Sequence, residues 1–134
     1  TFWWPQWGKK WRREQYSLEA VRSLAATFLA LDGPYMMFTG GEEGIEAELS
    51  ELLNFRNEHA AQWSVRGTFD TECDSTGSLI VVSRSAKGKS VVSIVNPSSN
   101  KVDVPSKYQG WRVGPSQGLN DSSLEPYGYF MAEK

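Results

Sequence analysis

The chain has 134 residues, 40% hydrophobic and 22% charged, an ordinary globular composition with room for one real core. Its net charge of −2 argues against a nucleic-acid partner, which favours a basic face. No run of about 18 apolar residues exists, so no membrane span is expected, and the single cysteine, Cys73, excludes an internal disulfide while leaving the compartment open.

Four of the six tryptophans, Trp3, Trp4, Trp7 and Trp11, crowd the first eleven positions, interleaved with Lys9, Lys10, Arg12 and Arg13. Flat rings beside cations and amides suit sugar stacking, and they equally suit a protein contact. Large aromatic bodies gain most from burial, so the core or contact reading stands ahead of ligand binding. Trp3, Trp4 and Trp7 remain the candidate substrate-binding residues. The chain begins at Thr1 rather than at a methionine, as a processed or excised segment would.

Ser17 is a good N-cap, with Glu19 in the first turn where the helix dipole favours an anion. Leu18, Val21, Leu24, Ala25, Phe28 and Leu29 recur at helical spacing, and Gly33-Pro34 ends the helix. Residues 35–39 form a short apolar run that reads as a strand buried on both faces. Next comes Gly40-Gly41-Glu42-Glu43-Gly44, whose glycines permit a tight turn. Glu42 and Glu43 precede a helix, where negative charge is stabilising, and sequence neighbours point apart. A glycosidase pair must instead face each other roughly 5–9.5 Å apart, so no catalytic residue is assigned to this turn. Ile45, Leu49, Leu52, Leu53 and Arg56 then run along a second helix with Glu46, Glu48 and Glu51 outward. His59 reads as a surface residue near the helix C-terminus, and neither a metal-ligand spacing nor a cofactor motif is legible.

From Trp63 onward the pattern changes to short strands, at 64–72, 79–85, 90–96, 101–104, 110–113 and 127–133, with 114–123 as loop. Turn chemistry separates them, and the two central strands read as a hairpin across Lys87-Gly88. The expected fold is α+β: two N-terminal helices flanking a short strand, as at the end of an α/β barrel, followed by an antiparallel β-sandwich. The expected division is 1–62 and 63–134.

Four stretches carry a resemblance to glycoside hydrolase family 13, the α-amylase family. LAATFLALDGPYMMFTGGEEG resembles its last conserved barrel segment, where a helix, a turn and a strand run into "GDE" or "GEE". ELLNFRNEHAA is similar to the final barrel helix, "LIxLRxxHPA". LIVVSRSAKGKSVVSIVNPSSNKVDVP resembles the family's C-terminal β-domain, and LEPYGYFMAEK its closing "LPPYGYAVLE". The stretches stand in the family's order and span roughly residues 17–134.

The resemblance implies a protein acting on α-linked glucans with an Asp nucleophile, a Glu general acid and a second Asp, on the fourth, fifth and seventh barrel strands. None of those motifs is matched here, and TFWWPQWGKKWRRE stands where an "NHD" element is expected. The final helix also follows Gly44 at once, where many members insert a long excursion. The implied role is the C-terminal fragment of an α-amylase-family glycosidase or glucanotransferase, lending structural support without catalytic carboxylates of its own. Its partner would be the remainder of a barrel domain or a partner chain, and Glu42 and Glu43 would border the active-site face. Two alternatives stand beside it: a non-catalytic α-glucan-binding module using the N-terminal tryptophans, and an interaction protein pairing through its open strand.

Overall fold

Ser17 caps the long helix as its residue type predicts: its Oγ accepts the Ala20 amide at 3.2 Å. That helix belongs to a computed structural model that describes residues 10–37, 39–71 and 77–134. Among the described residues the order is α1 (Arg12–Gln15), α2 (Leu18–Ala30), α3 (Glu46–Glu58), α4 (Ala60–Trp63), β1 (Thr68–Phe69), β2 (Ile80–Ala86), β3 (Lys89–Val95), β4 (Val102–Asp103), a 3-10 turn (Ser106–Tyr108), β5 (Arg112–Asn120) and β6 (Ser123–Glu133). The class is α+β, as expected.

The buried stripe of α2 is Val21, Ala25, Ala26, Leu29 and Ala30, so small residues let the helix sit close to β3 and β6. Leu18 and Leu24, expected on the core face, lie respectively exposed and along a surface groove. On α3, Leu49, Leu52 and Phe55 face the same core. Arg22 and Glu48 clamp α2 to α3 at 2.6 Å. The shared core then takes Val91 and Val95 from β3 and Tyr129 and Met131 from β6, so helices and sheet are packed on one another directly.

The sheet is antiparallel throughout, in the order β1-β2-β3-β6-β4, with β5 also paired to β6. The hairpin across Lys87 and Gly88 forms as expected, with φ of 52° and 75° at the two turn residues. That is the backbone a two-residue hairpin turn needs, and it falls at no cost to glycine. Alternation along β3 and β6 sends Val92, Ile94, Phe130 and Ala132 to the face away from the helices. There Val104, Tyr108 and Leu124 close a second core, which gives the C-terminal half its sandwich-like character. Fully buried Asn96 orders the turn after β3: its Nδ2 donates to the Asn100 and Glu125 carbonyls at 2.7 and 3.0 Å, and its Oδ1 accepts from Ser98.

Three expectations are corrected. Residues 35–37 and 39 of the strand expected at 35–39 have no strand pairing among the described residues; residue 38 lies outside them. Tyr35 and Met37 pack half-buried toward α2 and α3, while Met36 is 75% exposed. A lone strand has nothing to share its ladder with, so apolar content alone does not make one. Residues 114–123, expected as loop, complete β5, its tight turn and the start of β6. β5 is interrupted by register shifts around Gly114-Pro115 and at Gly118, which mask any alternation. A Cβ on Gly114 would lie 2.7 Å from the Phe55 ring, so the close approach of β5 to α3 requires glycine there. The expected strand at 64–72 is reduced to the two-residue β1 on the sheet edge.

Candidate functional site

The glycine-rich turn places its two glutamates differently. Gly40 and Gly44 have φ of +90° and +84°, and the Ile45 amide closes onto the Glu42 carbonyl at 3.0 Å. Glu43 reaches back to Arg13 at 2.7 Å, and the same guanidinium donates to the Gly40 carbonyl at 2.6 Å while lying over the Trp11 ring. Glu42 Oε2 is shielded from water and has no hydrogen-bond partner among the described residues. Glu46 performs the local capping instead, accepting the Gly44 amide at 2.9 Å. The turn thus ties α1 to α3 through Glu43. Trp3, Trp4 and Trp7 lie outside the described residues. Among the described residues no cluster of His, Cys, Asp and Glu could hold a metal ion, and no helix is long and apolar enough to cross a membrane.

His59 is corrected from surface to core. Its ring stacks on Phe55 with centroids 4.1 Å apart, Nδ1 faces the Phe55 carbonyl at 2.8 Å, and Nε2 contacts the carboxylate of Glu133. Glu133, also buried, is held as well by Lys89 at 3.2 Å and by Arg112. The signal was present: His59 continues the stripe of Leu52 and Phe55 at helical spacing.

Sequence reasoning missed the polar cluster at the C-terminus of α2. A helix leaves its last carbonyls unpaired, and here three other elements supply donors. Arg56 of α3 donates to the Leu29 carbonyl at 3.3 Å and to that of Gly33; Trp63 Nε1 of α4 also donates to Leu29, at 3.1 Å. Arg84 of β2 donates to Ala30 at 2.8 Å, Val65 at 2.7 Å and Asp32 Oδ1 at 2.6 Å. Both guanidiniums lie over the Trp63 ring, at 5.7 and 5.2 Å. Two cations at the negative end of a helix are electrostatically well placed, and burial shifts the Arg56 guanidinium below its ordinary pKa. Arg84 could have been found, because it stands in phase with Ile80 and Val82 on one face of a strand.

The Asp32 carboxyl is held below the ordinary value first by the Gly67 amide, which donates to it at 3.0 Å, and then by Arg84. A depressed carboxylate contributes stability that is present above its unfolded pKa, about 3.9, and lost as pH falls through the lower folded value. Asp32→Asn is therefore expected to lower the urea midpoint more at pH 7 than in acid below the ordinary carboxylate range, where the native side chain also takes up its proton. Equal effects at the two pH values would contradict this assignment.

Two grooves open beside these elements. An apolar one of about 350 Å³ runs between α1, α2 and the sheet, lined by Tyr16, Leu24, Ile80, Pro97 and Tyr127. A more polar one of about 330 Å³ lies at the α2 C-terminus, lined by Leu31, Asp32, Arg66, Gly67, Phe69 and Arg84.

No protein-family model matches the sequence, and no curated protein matches it. A solved structure, Eubacterium rectale Amy13B, matches in fold with a TM-score of 0.61 at 14% identity over 87% of this chain. The chain spans 34% of the length of that protein, and at this identity the likeness is one of fold.

Proposed function

We propose that this chain is the C-terminal part of an α-amylase-type, α-glucan-acting protein, in which it braces a barrel without supplying the catalytic carboxylates. The observation that carries the reading is the fold likeness, which takes in 87% of this chain but 34% of Amy13B. The four motif stretches support it independently of shape. On this reading 1–62 is the end of the barrel and 63–134 the β-domain, and the missing portion covers what is now bare. Candidate contact sites are Met36, Leu18, Tyr16 and the apolar groove beside α2. Glu42 and Glu43 border the active-site face and shape it, Glu43 through its tie to Arg13.

Chemistry sets the test. Retaining or inverting hydrolysis needs two carboxyl groups facing each other across a sugar, and Glu43 is engaged with Arg13 instead. The purified chain should release no sugar from starch, maltooligosaccharides or aryl α-glucosides. Turnover by the chain alone, abolished by Glu42→Gln, would overturn the reading.

A second reading, an interaction protein, draws on exposed Met36 in a stretch that finds no strand neighbour. Sedimentation separates the two: concentration-dependent self-association lost on Met36→Ser favours pairing between chains, and a monomer at all concentrations removes it.

A further inference from the structure

We infer that the apolar groove beside α2 is the seat of this chain's own N-terminal tryptophans, residues 1–9 folding back onto it from α1. The inference stands apart from the barrel reading: a barrel or partner chain covering this face would meet the seated rings in place of a bare groove.

The groove has fixed walls. α2 supplies Ala20 and Leu24, the start of β2 supplies Ile80, and Pro97 and Tyr127 close it from the sheet side. Tyr127 has φ of 58°, a left-handed backbone that a bulky residue adopts only where its surroundings impose it. Its amide donates to the Ser98 carbonyl at 3.1 Å, and buried Asn96 orders the same turn by accepting from Ser98. Strain of this kind collects where a surface is shaped for a contact.

The lining selects an apolar occupant. Thr27 turns its hydroxyl back to the Ser23 carbonyl at 2.9 Å, so this face of α2 presents little that a polar ligand could pair with. Tyr16, also in the lining, is 55% exposed although a ring gains from burial. At about 350 Å³ the space lies near the lower end of the roughly 300–1,000 Å³ of small-molecule sites, which suits one or two ring systems.

Position and composition name the occupant. Residues 1–9, TFWWPQWGK, lie outside the described residues, and they include Phe2, Trp3, Trp4 and Trp7. They lead directly into α1, whose Arg12 belongs to the lining together with Tyr16 just beyond it. That entry point is pinned: Glu14 accepts the Trp11 amide at 2.6 Å, and Arg13 donates to the Gly40 carbonyl at 2.6 Å. Trp7 stands five positions before Arg12, a reach of at most about 18 Å. So short a tether holds the rings at an effective concentration of about millimolar, which a free apolar ligand or a second copy would have to exceed. A ring seated here is withdrawn from sugar stacking.

The experiment is NMR of the full chain with labelled Leu, Ile and Val methyls. Nuclear Overhauser contacts from the indoles of Trp3, Trp4 or Trp7 to the Leu24 and Ile80 methyls are expected, unchanged on dilution. In the variant Trp3→Ser/Trp4→Ser/Trp7→Ser those two methyls should shift and ANS fluorescence should rise severalfold, while the Val91 and Val95 methyls of the main core stay in place. Should that variant fail to fold, the contacts in the unaltered chain decide alone. Their absence, or indole contacts confined to other methyls, would overturn the inference. Contacts seen only between differently labelled chains, and lost on dilution, would overturn it in favour of a second copy. None of these results alters the expectation that the chain alone releases no sugar.

Discussion

Replacing Arg84 by alanine is expected to destabilise the fold by about 3–5 kcal/mol, the usual result of removing one member of a buried charged cluster. Arg84 is 3% exposed. Its loss strips donors from the Ala30 and Val65 carbonyls, each left to bear a desolvation cost of about 1–3 kcal/mol, and empties the space beside the Trp63 ring. Arg84→Lys should recover little, because a single ammonium cannot reproduce the planar fork that serves three acceptors from one position. Urea unfolding of both variants checks this. A loss below about 1 kcal/mol for alanine, typical of an exposed ion pair, would mean that the cluster is decoration and not a joint between α2 and the sheet.

The second large effect is expected at Glu133. Glu133→Leu should cost about 3 kcal/mol, or roughly 10 °C in melting temperature, because it leaves His59 Nε2 buried without a hydrogen-bond partner. Lys89 and Arg112, both largely exposed, can turn to water and add little. The informative comparison is the double variant His59→Leu/Glu133→Leu. Replacing both members by apolar side chains removes the unpaired group, so the pair of changes should cost less than the sum of the single ones by about 0.5–3 kcal/mol. Strict additivity would show that the contact across α3 and β6 contributes nothing of its own.

How much of this was legible in the residues depends on the range of the interaction. The cap at Ser17 and the hairpin at Lys87-Gly88 are encoded within a few positions, and the structure has them where the sequence puts them, whereas α2 already ends at Ala30, short of the stop expected at Gly33. The run Val91-Val-Ser-Ile-Val95 reads as one arm of the central hairpin, and it is one; that it is buried on both faces is seen in the structure. The failures share a different cause. Residues 35–37 have the composition of a strand but find, among the described residues, no neighbour that would make them one. β5 has the neighbour but lacks the composition, since glycines and bulges break its alternation and most of its side chains face water. His59 misled and Arg84 was passed over for a related reason: each is polar, and each is buried against a hydrogen-bond partner more than fifty positions away. The tryptophans at 3, 4 and 7 and the acidic turn attracted attention by type alone. In the cluster of Arg56, Trp63 and Arg84 the strand phase marks Arg84 alone, because nothing local links it to the other two.

β6 carries one last consequence, for the order of assembly. Two of the core clusters lean on this strand, which is the latest element in the chain: β3, β4 and β5 all pair with it, and Tyr129 and Met131 form the wall beneath α2 and α3. Until it arrives, the early helices and the central hairpin have contacts with one another but lack the wall that closes the main core, and the ordering entropy of a long loop must be met before that wall compensates. Folding should therefore be slow and late-committing, with a nascent chain that exposes its greasy surfaces through most of its synthesis and locks only when the closing segment threads between its neighbours.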